Sequence, residues 1–153
     1  MMTRTTIQLN KLMLLYFFTV FCIATAQEHK SSASERDVAS VLAIAMQHES
    51  LWKEPLIKAT HLSNYYILHH SVELDLPEAF SINGIPVSLI EKEELSSLGD
   101  QPYFIVHTLV VDRDSAFVGI YLTYSDNGSA KTSNTTLKLL KESDQWSIDK
   151  TTL

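Results

Sequence analysis

Between Tyr103 and Leu153, apolar runs alternate with short polar separators at near-regular spacing. The runs are Tyr103–Val111, Ala116–Tyr124, Thr135–Leu140 and Trp146–Leu153. They are dense in Val, Ile, Tyr, Phe and Thr, which fit a pleated and partly buried surface. The separators are Asp112-Arg113-Asp114-Ser115, Ser125-Asp126-Asn127-Gly128 and Lys141-Glu142-Ser143-Asp144-Gln145, rich in residues that tolerate turn geometry or bond their own backbone. This rhythm predicts a four-strand antiparallel meander. If the first turn pairs Val111 with Ala116, then Tyr103, Ile105, His107, Leu109 and Val111 share a face with Ala116, Val118, Ile120, Leu122 and Tyr124. Phe104, Val106, Thr108 and Val110 then lie beside Phe117, Gly119, Tyr121 and Thr123. Both faces are apolar, whereas a sheet with one wet side alternates cleanly. The first two strands are therefore expected to be covered on both sides, and a one-residue change of register would exchange the faces.

Upstream, the hydrophobic period changes. Ser34-Glu35-Arg36-Asp37 resembles a capping box, and Val38, Val41, Leu42, Ala45, Met46 and Trp52 follow at spacings of three and four. An amphipathic helix from about Glu35 to Glu54 is expected, stopped by Pro55 or followed by a short turn through Lys58. Tyr65–Val72 is a strand candidate, continued loosely through Leu74 and Leu76 to Pro77. Asn83-Gly84 between Phe80–Ile82 and Ile85–Ile90 is a strong hairpin signal, and Pro86 confines the second arm to a sheet edge or an unpaired position. Glu91–Leu98 reads as a short helix with Gly99 at its C-terminus. The helix at Glu35 can cover one face of the meander; the other needs the short helix, a partner subunit or a pocket. The fold class is α+β, an N-terminal helix packed on a curved antiparallel sheet.

The first 26 residues stand outside that fold. Arg4 and Lys11 precede the apolar stretch Leu12–Ile23, and Ala24-Thr25-Ala26 supplies a small-x-small cleavage pattern that places Gln27 at the mature N-terminus. An apolar run of about 15 residues is short of the ~20 needed to span a bilayer. The expected organisation is a signal peptide at 1–26, a disordered polar lead-in at 27–33 and one domain at 34–153. Export to the periplasm or medium follows, with no membrane association after cleavage. Cys22 raises a lipoprotein alternative, but Phe21 stands where lipoproteins carry a small residue before the acylated cysteine. Cleavage after Ala26 would leave a chain without cysteine and hence without a disulfide.

The full chain carries 12 basic and 18 acidic residues, a net charge of −6. Removing Arg4 and Lys11 leaves 10 against 18, or −8, a balance that repels phosphate backbones and disfavours nucleic-acid binding. No phosphate-binding glycine motif, nucleophile elbow or zinc spacing occurs. Of the six histidines, His29, His48, His61, His69, His70 and His107, no two have chelating spacing, so no metal or cofactor is expected. His107, amid Ile105, Leu109 and Ile120, is the residue of most interest as a general base, although no orienting carboxylate stands beside it in sequence and Asp149 and Glu73 could reach it only through the fold. Tyr103, Tyr121 and Tyr124 lie near enough to join His107 in a ligand site. Trp52 and Trp146 read as core anchors. Asn127-Gly128-Ser129 and Asn134-Thr135-Thr136 match the glycosylation pattern.

The passage Val111–Val118, followed by a turn, a strand and Asp144-Gln145-Trp146-Ser147-Ile148, resembles the last strands of small exported bacterial proteins with cystatin-like and NTF2-like α+β folds. The resemblance covers about half of the chain and carries no catalytic motif. It implies a half-open pocket on the concave face of the sheet, and it implies no reaction, because one fold hosts many functions. The leading expectation is a non-enzymatic exported domain holding a small apolar ligand or a protein partner against its sheet, with a homodimer as one form of that partner. The alternatives are a cofactor-free NTF2-like hydrolase or isomerase using His107, and a cystatin-like inhibitor or envelope module with the Asn83-Gly84 hairpin as its wedge.

Overall fold

The computed structural model describes residues 33–53 and 62–150, all within one compact unit, Ser32–Leu153. The expected leader, the expected cleavage pair Ala26 and Gln27, Cys22, His29, Pro55–Lys58, His61 and the last three residues lie outside the described residues, as does the expected polar lead-in except Ala33. Among the described residues, no helix is long and apolar enough to cross a membrane.

Helix α1 spans Glu35–Met46. Ser34 caps it: its hydroxyl oxygen accepts from the Asp37 amide, satisfying one of the orphan donors at a helix start. The helix ends well before the expected Glu54. His48 turns extended (φ −61, ψ 130) and its ring accepts from the Ser50 amide, starting a separate 3-10 turn over Glu49–Trp52. The Trp52 indole donates back to the Met46 carbonyl at 2.8 Å, so the last turn is folded onto the helix instead of prolonging it.

Seven strands follow: β1 (Tyr65–Leu68), β2 (Ser81–Ile82), β3 (Ile85–Ile90), β4 (Tyr103–Val111), β5 (Ser115–Asp126), β6 (Ser129–Glu142) and β7 (Gln145–Ile148). They form one curled sheet in the order β2-β3-β1-β4-β5-β6-β7. The four C-terminal strands make the expected antiparallel meander, and Val111 does pair with Ala116. The sheet as a whole is mixed, because β1 lies parallel to both β3 and β4. β1 stops at Leu68, short of the expected Val72, so His69 and His70 lie past its end; His69 pairs with Glu91 at 3.0 Å. Asn83 and Gly84 hold left-handed angles (φ 52 and 80) at the β2–β3 turn, which suits a two-residue hairpin. Pro86 faces Ser81, but β1 begins pairing only at Val87, so the missing proline donor falls where no strand asks for it. A short helix α2 (Leu95–Leu98) ends at Gly99 (φ 60).

One core joins these elements. Val38, Val41, Leu42, Ala45 and Met46 from α1 and Leu51 from the 3-10 turn cluster with Tyr65, Ile67, Phe104, Val106, Val118, Ile120, Leu122, Leu137 and Leu139. Trp52 and Tyr65 each bring a ring to 5.9 Å from that of Phe104. The residues of β4 and β5 on the other side of the sheet are not equally covered: Val110 is 53% and Phe117 45% exposed. Within this chain neither the short helix nor any other described element covers that face fully.

Candidate functional site

The geometry of the outer face starts from a mismatch between β4 and β5. Val106 pairs with Ile120 and Thr108 with Gly119, leaving His107 as an extra residue in a β-bulge. The bulge has a physical reason. Phe104 and Val106 are at even positions, Leu109 and Val111 at odd ones, and all four contribute to or pack against the core. A regular strand could turn only one of these pairs inward; one inserted residue turns in both. The expected face assignment is corrected accordingly: Leu109 and Val111 do share the inner face with Ala116 and Val118, whereas Tyr103, Ile105 and His107 share the outer face with Thr123, Tyr121 and Gly119.

The bulge sets the His107 imidazole over Gly119. A Cβ on residue 119 would come within 2.6 Å of Nε2 and closer still to Cε1, so this approach requires glycine. The ring lies against Tyr121, centroids 4.5 Å apart and planes tilted by 34°, and its Nδ1 is 3.0 Å from the Thr108 hydroxyl. Beside this pair, Val110 and Phe117 face each other across the ladder, half in solvent. Asp149, one of the carboxylates that sequence offered as a partner for His107, is buried and accepts an ion pair from Lys138 at 2.9 Å; Glu73 is exposed in the segment after β1. The arrangement is a half-buried aromatic pair continued by a half-exposed apolar pair, with no carboxylate beside the imidazole among its described contacts.

The structure divides the four residues that sequence grouped. His107 and Tyr121 form the ring pair, whereas Tyr103 and Tyr124 line a cavity of about 200 Å³ at the end of the sheet. Asp100, Gln101, Thr123 and Ser125 share that lining with Ala130 and the two tyrosine rings, so it is mixed, polar and apolar. Tyr124 itself is a core residue, 5% exposed. Among the described residues no group of His, Cys, Asp and Glu could hold a metal ion.

A separate polar cluster ties α1 to the last hairpin. Asp37 Oδ1 accepts from Lys141 Nζ at 2.8 Å and from the Trp146 indole at 2.9 Å, and Oδ2 accepts from Ser34. The Lys141 hydrogen bond, with help from Trp146, holds the Asp37 carboxyl below the usual carboxylate range, against the opposing effect of burial. Its donors and acceptors answer one another, which makes it a structural tie. Sequence reading placed Asp37 in a capping box and Trp146 in the core without joining them. It also passed over Gly119, although a lone glycine inside an apolar strand is the mark of a bulge or a close approach.

Comparisons with protein families, with curated proteins and with solved structures find no match for this chain.

Proposed function

We propose that this chain is an exported, non-enzymatic binding domain that holds its ligand or protein partner against the outer face of β4 and β5. One observation carries the reading: Val110 and Phe117, directly opposed, are 53% and 45% exposed beside the stacked His107 and Tyr121 rings. Half-exposed aromatic and aliphatic side chains grouped on a rigid sheet are the usual anchors of recognition, while isolated exposed apolar residues signify little. The positive start, apolar run and Ala24-Thr25-Ala26 of the leader support export. A cystatin-like or NTF2-like framework accords with a curled sheet preceded by one helix.

The test is native mass spectrometry on protein recovered from its own host's envelope or medium, wild type beside the Val110→Thr/Phe117→Thr double variant. The expected result is a bound species on the wild type that the variant loses while keeping its circular dichroism spectrum. A bound species retained equally by both, or a bare wild type, overturns the reading.

A further inference from the structure

Strand β6 runs for 14 residues, but β7 covers little of it. β7 pairs with Leu139–Glu142, and the Asp149 amide extends the ladder by one bond to the Lys138 carbonyl at 2.8 Å. The stretch from Ser129 to Leu137 is paired with β5 on one side and with no described strand on the other. The other sheet edge, β2, is two residues long.

Hydrogen bonding on the open side can be assigned from the hairpin. Asp126 and Ser129 flank the two-residue turn Asn127-Gly128 and so form its hydrogen-bonded pair. Alternation along an antiparallel ladder then directs the amides and carbonyls of Ala130, Thr132, Asn134 and Thr136 away from β5. The Lys138 carbonyl, next in that series, does point outward, since it is the one that meets Asp149. Ala130, Thr132, Asn134 and Thr136 are all exposed. The 3-10 turn Glu49–Trp52 packs on β6, with the Thr135 hydroxyl 3.4 Å from His48 Nδ1, but no described backbone group bonds that row. An unbonded row of backbone donors and acceptors is a template for another strand, and proteins ordinarily blunt it with proline, a bulge, unpaired charge or a covering element. β6 has neither proline nor bulge, and its Lys131 and Lys138 are engaged by Asp126 and Asp149.

We propose that this edge pairs with the same edge of a second copy, antiparallel about a two-fold axis at Ser133. In that register Ala130 meets Thr136 of the other copy and Thr132 meets Asn134, closing about eight backbone hydrogen bonds. Pairing ends at Thr136, before Lys138, whose carbonyl takes the bond from Asp149, so the two copies do not compete with β7. Lys131 falls opposite Thr135 and Lys138 opposite Gly128, so no like charges face each other. Thr132, Asn134 and Thr136 carry short, exposed polar side chains of one kind, and in this register the strand is complementary to itself. Closed two-fold pairing of this kind is the commonest form of oligomer. The result is one continuous sheet whose two outer faces, each with its Val110 and Phe117, lie side by side.

Light scattering with size-exclusion chromatography, run into the millimolar range on the protein cleaved of its leader, should show a monomer–dimer equilibrium. Thr132→Pro removes an outward amide without touching the bonds to β5 and should weaken dimerisation at least about tenfold. Thr132→Lys/Asn134→Lys sets lysines directly opposite across the axis; it should do the same without a backbone change, which covers the case in which the proline disturbs the strand. Hydrogen exchange should slow with protein concentration at the amides of residues 130, 132, 134 and 136, and not at 133 or 135. A chain that stays monomeric throughout, a dimer indifferent to both variants, or concentration-dependent protection located elsewhere overturns the proposal.

Discussion

The two faces of β4 and β5 are built from the same kinds of residue and behave differently. On the inner face Phe104, Val118, Ile120 and Leu122 are fully buried and Val106 nearly so. On the outer face Val110 and Phe117 stand half in water, and Gly119 is buried with the His107 ring lying over it. Composition therefore does not decide which face forms the core. What decides it is α1, whose apolar stripe joins the inner cluster, and the bulge, which delivers Phe104, Val106, Leu109 and Val111 to the same side. The outer face keeps apolar side chains that folding does not use to the full, and these are the side chains on which the proposed contact rests.

The comparison is tested hardest by truncating its fully buried side. Phe104→Ala removes a ring that touches both Trp52 and Tyr65, and should cost about 3–5 kcal/mol in denaturant unfolding. A loss under about 1 kcal/mol would mean the inner face is not the core. A smaller effect is expected where the faces are held in register. Gly119→Ala drives a methyl group into the His107 ring and should cost about 1–3 kcal/mol, as overpacking does. Adding His107→Ala should return much of that stability, and a double-mutant cycle measures the coupling. Purely additive effects would place the ring elsewhere.

Much of this was legible from the residues. The β4 limits, the Val111–Ala116 pairing, both Asn-Gly turns and the cap at Ser34 follow from turn chemistry and periodicity acting over a few residues. What was not legible acts over longer distances. β1 lies parallel between β3 and β4, and a strand of four residues carries no mark of its direction or neighbours. The polar start of β6, Ser129–Asn134, lies outside the apolar run expected from Thr135 and is strand because β5 pairs with it. The bulge escaped because both parities of β4 are apolar, so alternation could not report the change of side. The grouping of Tyr103 and Tyr124 with His107 and Tyr121 rested on nearness in sequence, which the sheet resolves into a ring pair and a separate cavity.

The helix on the inner face offers a weaker lever. Asp37 is charged in the fold and paired with Lys141 and Trp146, which lowers its pKa from the ordinary 3.8. A group whose folded pKa is depressed contributes stability that is present above the unfolded value and is lost as pH falls through the folded one. Wild-type stability should therefore fall below about pH 4 more steeply than that of Asp37→Asn. At neutral pH the variant should be less stable by about 1 kcal/mol, since the bonds are charge-assisted but partly solvated. Parallel acid limbs for the two proteins would show that Asp37 does not hold the last hairpin.

The smallest expected effect is the one that decides what the outer face is for. Phe117→Thr replaces a half-exposed ring by a polar residue that still favours a strand, and its backbone bonds are untouched. If the ring is there for contact and not for folding, unfolding stability should change by less than about 1 kcal/mol, against several for Phe104→Ala on the opposite face. The two side chains are of equal size and lie on neighbouring parts of one sheet, so the difference isolates coverage from composition. A loss for Phe117→Thr approaching that of Phe104→Ala would mean that the outer face is sealed in solution. The contact surface proposed for it would then not exist. A small loss combined with a lower tendency to self-associate or to bind apolar dyes would instead locate the exposed chemistry of this protein at Val110 and Phe117.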